Sequence, residues 1–460
     1  MFRPLRLNIH VSFFTILVFL FGCFSILEAL KYQFAGFTVY IGDIFYYLFL
    51  IYGLIYILNP KNRSYSNFDK KNKQINYIFL FLLIFSTNFW TPLIDFGLEG
   101  SLDGYTGALK YALKTVILCF LILCISRFDN RHKIQFIRYY IYGFLTAIII
   151  HAVYSLYQMI QWYVFGLDIH TQILNDMGIT EDTVGHVLIN FLYPPVIRLS
   201  GIHWDPAYFG LWGCIGIFSL YYMRKNKFIK YICLPIVIIT WILSFSRTGY
   251  FSFIVLLFIF FVCHRYNSSL PWIRVKSILE ISFLILVFVL IIYFSLPEEY
   301  TILLNDAISY RFDISDVSSD AGSHRHLNYP LYALEGSLHD PVHFLFGYGA
   351  RNSSRGILAS GNITDFVSTE VFDIESDFCK MLLNYGFIYF VLYCYFNYIL
   401  VVNYIKVFNF KKEIISYIIF ITVISTFFAG IFYVYNDSKW VWIIYYIAVL
   451  DLTGKTSKAI

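Results

Sequence analysis

Charged residues are scarce in this 460-residue chain: aspartate, glutamate, lysine and arginine make up 14% of it. An ordinary soluble domain carries about 25%, so the shortfall excludes a water-soluble globular protein. The eight cysteines (Cys23, Cys119, Cys124, Cys214, Cys233, Cys263, Cys379 and Cys394) all fall in apolar segments. Their spacing gives neither a disulfide framework nor a zinc site. No internal repeat and no low-complexity tract stands out. No small-residue cleavage site follows the first apolar run, so residues 1–30 read as a retained first helix rather than a removable signal peptide. Glycine-rich phosphate loops are missing too: GYG at 347–349 is a turn, far too short to cradle a phosphate.

Apolar length is what the chain has instead. Hydrophobic residues make up 59% of it, and runs of about 20 residues, each able to cross about 30 Å of hydrocarbon as a helix, recur from end to end. Twelve such spans are expected: 11–30, 36–58, 77–97, 107–126, 139–164, 205–223, 231–245, 249–264, 278–297, 378–404, 414–435 and 440–453. The fold class is therefore all-α, a polytopic membrane helix bundle. Lysine and arginine set its orientation, because cytoplasmic loops retain them. With both termini inside, the inner loops hold 23 of the 34 basic residues. The formal charge of +5 thus reports topology and does not point to nucleic acid.

Three segments then face the outer compartment. The largest, 298–377, separates nine helices in residues 1–297 from three in 378–460, and carries thirteen acidic residues against four arginines, a balance of −9. Loops of this length inside compact proteins are often functional. The second, 165–204, mixes apolar and aromatic residues and suits the membrane interface. The third is the turn FSRTG at 245–249.

Candidate chemistry clusters in these segments. In RLSGIHWDPAYFG (198–210), Asp205 is a suitable N-cap and Pro206 suits the first helical position. A helix start accounts for both. Arg198 is different: one arginine at a membrane boundary can simply snorkel to water, but Arg198, Arg247, Arg311 and Arg325 all oppose the inside-positive bias. An anionic lipid head group gives them a reason, since guanidinium forks match phosphate oxygens. Lys110 and Lys114, one helical turn apart near the outer end of the fourth helix, can join them or snorkel. Glu375 and Asp377 stand where the outer loop enters the tenth helix, favouring its dipole or serving as general base and helper. His324, His326, His339 and His343 have ligand-like spacings, but Pro341 spoils a helical face for the second pair, and no metal or other cofactor is expected.

Four stretches in order, RLSGIHWDPAYFG, LSFSRTG, SHRHLNYPLYALEGSLHDPVHFLFGYG and ESDFCKMLLNYGF, make residues 190–395 resemble the bacterial O-antigen polymerase and O-antigen ligase superfamily, with its glycosyltransferase C-type membrane fold. The resemblance implies a transferase acting on glycans carried by undecaprenyl pyrophosphate at the periplasmic face of the inner membrane. It implies a lipid-linked donor and acceptor as partners, membrane lipid around them, a chain-length regulator as a further partner, and no metal. Mapped here, Arg198 and Arg247 grip the donor pyrophosphate, with Arg325, Lys110 and Lys114 as further substrate-binding groups. Ligases of the superfamily place a histidine and an asparagine about eleven residues before the glycine that is Gly386 here. This chain has Glu375 and Ser376 instead, which favours a polymerase over a ligase, with Glu375 in the position of the base and Asp377 beside it. A lipid-linked oligosaccharide exporter is a third reading, disfavoured because the helix interiors are nearly free of charge.

Overall fold

The computed structural model describes residues 12–27, 30–34, 37–59, 70–87, 105–176, 188–189, 196–203, 205–223, 225–266, 302, 329–349, 376–431, 433, 435 and 438–456. In order these form α1 (Phe13–Phe24), a hairpin of β1 (Lys31–Phe34) and β2 (Phe37–Tyr40), α2 (Ile41–Leu58), α3 (Lys70–Phe85), α4 (Tyr105–Ser126) and α5 (Asn130–Phe165). Next come α6 (Ile169–Asp176), the short pair β3 (Leu188–Ile189) and β4 (Val196–Ile197), α7 (Pro206–Tyr222), α8 (Leu234–Ile242) and α9 (Arg247–Tyr266). Finally there are α10 (Tyr329–His339), α11 (Pro341–Phe346), α12 (Asp377–Val407), α13 (Ile414–Ala429) and α14 (Lys439–Thr456). The architecture is a helical bundle. Three of its helices, α2, α5 and α12, are long and apolar enough to cross a membrane, and α1, α3, α4, α8, α9 and α13 contain shorter apolar stretches. Helices suit such sequences because each backbone hydrogen bond closes within the segment, with no water needed.

A helix that is apolar all round belongs in the middle of a bundle. α14 shows this: every residue from Trp440 to Leu450 is buried, against α13, α12, α5, α3 and α4. α13 and the first half of α7 are enclosed in the same way. The outer helices instead turn large apolar side chains outward, among them Ile55, Leu113, Phe258 and Tyr398, a surface suited to lipid. The start of α12 lies beside the end of α13, where the Phe378 N–H reaches the Gly430 carbonyl. Lys439 at the start of α14 pairs with Asp43 at the start of α2. These contacts define one end of the bundle, called the upper end below, where α2, α7, α9, α12 and α14 begin.

Several boundaries differ from the hydropathy reading. The first span ends at Phe24 because Ser25 caps it, its N–H reaching the Phe21 carbonyl. Residues 37–40, expected to be helical, pair as a strand with 31–34. The fifth helix begins earlier, at Asn130, where Asp129 Oδ1 accepts from the His132 N–H at 2.7 Å. The eleventh stops at Ala429 rather than 435, although the sequence stays apolar: the chain turns at Gly430 and returns over the start of α12. The tenth is not one continuous helix, because Gly386 breaks it at φ +83°. The ninth span, 278–297, lies outside the described residues, as does most of 298–377.

Candidate functional site

The upper end gathers the polar groups. The segment from Arg198 to Asp205 turns sharply at Gly201, whose φ of +65° favours glycine; a Cβ there would also fall 2.6 Å from His151 Nδ1. Three buried imidazoles brace this turn. His151 Nδ1 accepts from the Ile202 N–H at 3.0 Å, and its Nε2 lies 3.2 Å from the Ile26 carbonyl. His203 Nδ1 accepts from the Asp205 N–H at 3.0 Å. His170 Nε2 lies 3.2 Å from the His203 carbonyl and 3.1 Å from Ser200 Oγ. A carbonyl only accepts, so that nitrogen carries the proton and Nδ1 is left to accept from the Tyr154 hydroxyl, 3.2 Å away.

Burial pushes the His170 ring down to about 4 and the His203 ring well below its ordinary value. Both are therefore neutral at neutral pH. An unfolded chain takes up the His170 proton near 6.5, so the stability tied to the neutral ring is complete above that pH and is lost as pH falls towards 4. The melting temperature of detergent-solubilised protein is expected to drop between about pH 7 and about pH 5, and to drop less in His170→Gln. An identical pH dependence in the variant would remove His170 from this role.

The turn is tied to its neighbour by a bond from the Leu199 N–H to the Leu243 carbonyl at 3.2 Å. At Leu243 α8 has just ended. Phe245 then takes φ +47°, an unusual conformation for a bulky residue, and Ser246 Oγ caps the new helix by accepting from the Gly249 N–H at 3.1 Å. Arg247 is the first residue of that helix, α9. α7 and α9 touch backbone to backbone, so that a Cβ on Gly249 would lie 2.8 Å from Gly210 Cα. Trp241 of α8 closes the corner with a 3.0 Å bond from its indole N–H to the Gly210 carbonyl. The chain thus brings the backbone at Arg198 and at Arg247 to one corner, Arg198 only 9% exposed and Arg247 exposed.

A second construction begins α12. Ser376 caps it, and Asp377, 2% exposed, accepts the Tyr435 N–H at Oδ2 over 2.7 Å. Nine residues on, the break at Gly386 frees the carbonyls of Leu383 and Asn384. Tyr348 and Gly349, in the strap after α11, donate their N–H groups to them at 2.6 and 3.1 Å. Gly347 and Gly386 meet at this clasp, both at positive φ. α11 itself is capped by Asp340, which accepts from the His343 N–H at 3.2 Å and from its ring. Burial raises the Asp340 carboxyl, but these contacts outweigh it and hold the group below its ordinary value. Asp340→Ala is expected to cost about 1 kcal/mol locally, read as faster proteolysis within 329–349.

Between α4, α12 and α14 lies an open-mouthed cavity of about 660 Å³ lined by Lys114, Lys380, Lys439, Asp377, Asn384 and Trp442, among others. A second, of about 850 Å³, shares Lys114 and Lys439 with it and continues past Asp43, Phe21, Tyr46 and Ile443. Tyr435 stands between this lysine-lined region and the arginine corner. Its N–H meets Asp377, while its hydroxyl donates to the Ala207 carbonyl at the start of α7, 3.1 Å away.

No protein-family model matches the chain, and no curated protein matches it in sequence.

The structure divides the candidate residues into two groups. Arg198 and Arg247 share a corner, but neither lines these two cavities. Lys114 lines both cavities, together with Lys380 and Lys439, two lysines the sequence reading passed over. Lys380 sits three residues after Asp377, and Lys439 opens the last helix as the partner of Asp43. Asp205 caps α7 as expected, with its Oδ1 accepting from the Ala207 N–H at 2.7 Å. Lys110 belongs to α4, its side chain outside the described part, and Glu375 and Arg325 lie outside the described residues. Of the four candidate histidines, His343 is engaged with Asp340 and stacks on Tyr348 at 4.5 Å and 3°. Among the described residues no group of three or more His, Cys, Asp or Glu side chains is arranged to hold a metal ion.

Proposed function

We propose that this protein is a glycan polymerase that transfers undecaprenyl-pyrophosphate-linked repeat units onto one another at the periplasmic face of the bacterial inner membrane. In this reading about twelve helices span the membrane, the upper end is periplasmic, and 298–377 is the large outer loop. The observation that carries it is Arg198, a residue only 9% exposed, held on a histidine-braced turn and bonded through Leu199 to the corner from which Arg247 starts. A buried fork of donors at a membrane boundary suits a diphosphate better than a single negative charge.

The chemistry is displacement at an anomeric carbon. A hydroxyl of the incoming repeat attacks the sugar joined to the donor lipid, forming the new glycosidic bond. The bond to the lipid diphosphate breaks, and the diphosphate leaves with the electron pair against Arg198 and Arg247. Such groups act where negative charge develops, which is where binding energy accelerates the step. Glu375 takes the hydroxyl proton. Asp377 supports it as a positioning residue: its bond to the Tyr435 N–H anchors the helix start two residues beyond Glu375.

Purified protein in lipid nanodiscs, given lipid-linked single repeats, is expected to convert them to a ladder of lengths. Loss of the gene is expected to leave surface lipopolysaccharide bearing a single repeat. Bare core with accumulated lipid-linked glycan would point to a ligase instead, and repeats trapped on the inner leaflet to an exporter.

A further inference from the structure

We infer that the lysine-lined cavity between α4, α12 and α14 is a second diphosphate site, separate from the arginine corner, and that it holds the lipid head group of the acceptor. The inference rests on the polymerase reading, in which two lipid diphosphates must be bound at once. Only one of them leaves. The donor's diphosphate departs beside the reacting carbon, whereas the acceptor's stays attached to its own repeat unit throughout the step. One basic site cannot serve both.

The cavity has the chemistry for the second. Lys114, Lys380 and Lys439 converge on it, and Asp377 is the acidic side chain on the same wall. Asp377 keeps its charge while accepting the Tyr435 N–H, and Asp43 pairs with Lys439, so three lysines stand against two carboxylates and the region keeps one net positive charge. Lysine is a compact point charge on a flexible stem. That fits a head group to be held and later released, whereas the forked arginines fit one whose charge develops during reaction. The adjoining cavity continues from the same lysines along an apolar wall that includes Phe21, Tyr46 and Ile443. An anionic head followed by an isoprenoid tail is the kind of molecule that matches a basic pocket opening onto an apolar groove. Tyr435 links the cavity wall at Asp377 to the start of α7 at Ala207.

Two experiments test this. In Arg198→Ala protein reconstituted in nanodiscs, geranylgeranyl diphosphate is expected still to bind, read by quenching of tryptophan fluorescence with Trp442 in the cavity wall. Adding Lys114→Gln and Lys380→Gln is expected to weaken that binding about tenfold or more, while Lys114→Arg with Lys380→Arg retains it and so controls for folding. Loss of binding in Arg198→Ala alone, or no effect of the glutamine pair, overturns the second site. In turnover with lipid-linked polymer as donor, the glutamine pair is expected to raise KM about tenfold for a lipid-linked repeat acceptor and to leave transfer to the same repeat without its lipid diphosphate unchanged. A rise in donor KM instead assigns the lysines to the donor and overturns the inference. Absence of any transfer by the wild-type protein overturns the polymerase reading, and with it the acceptor assignment, while the binding experiment still decides whether the cavity takes a prenyl diphosphate.

Discussion

Arg198→Lys is expected to stop chain elongation as fully as Arg198→Ala, lowering turnover of lipid-linked repeats by about 10²–10³-fold. Size and charge are nearly conserved in the lysine variant, so the expected loss isolates geometry. The guanidinium presents a planar set of donors that engages two phosphate oxygens together, whereas an ammonium is a single point. Position adds to this. Arg198 is 9% exposed, on a turn fixed by Gly201, three imidazoles and the Leu199 to Leu243 bond, so a shorter-reaching lysine head cannot be carried to the same place by backbone movement. Arg247→Ala is expected to cost less, because that residue is exposed and water screens its charge. The measurement is the rate of ladder formation in nanodiscs at matched protein levels. A full ladder from the lysine variant would remove Arg198 from diphosphate binding.

Gly386→Ala is expected to destabilise the fold by about 3 kcal/mol or more, a large part of the roughly 5–15 kcal/mol that holds a protein together. Two costs combine. The residue takes φ +83°, where a side chain is strained, and an added Cβ would lie 2.2 Å from the Leu345 carbonyl oxygen. Neither neighbour can yield cheaply, because both belong to backbone. Gly347→Ala meets the same clasp from the other side, with its Cβ 2.4 Å from the Asn384 carbonyl oxygen. Because the two glycines share one contact, the double variant is expected to cost less than the sum of the singles. Thermal melting in detergent and the monodisperse yield on gel filtration check both statements. An unchanged melting temperature in Gly386→Ala would show that the clasp is not formed.

Much of the outline was legible in the sequence. The spans expected at 205–223, 249–264 and 440–453 correspond to helices, and Asp205 with Pro206 marked a helix start that the structure bears out through the Ala207 N–H bond. Less legible were the places where apolar sequence continues but the helix does not. The sequence at 430–435 is apolar and reads as helix, yet Gly430 and Tyr433 turn their carbonyls to the Phe378 and Asp377 N–H groups. GYG at 347–349 read as a plain turn, and nothing in its local sequence showed that it supplies the hydrogen bonds missing from α12.

What the sequence by itself determined is the one-dimensional part: a chain of apolar helices, the ends of several of them, and the polar segments between. Hydropathy, caps and turn residues act over a few neighbouring positions, so they can be read without knowing what lies across the bundle. Which side chains share a wall was decided only by the tertiary structure. Lys114, Lys380 and Lys439 stand on three helices far apart in the chain, and they meet only because α14, buried on every side, draws α4 and α12 against it. The sequence reading grouped Lys114 with the arginines, because both are cationic and sit near one predicted boundary. Packing placed Tyr435 between them, since its ring and backbone N–H fill the gap where α7, α12 and α13 come together.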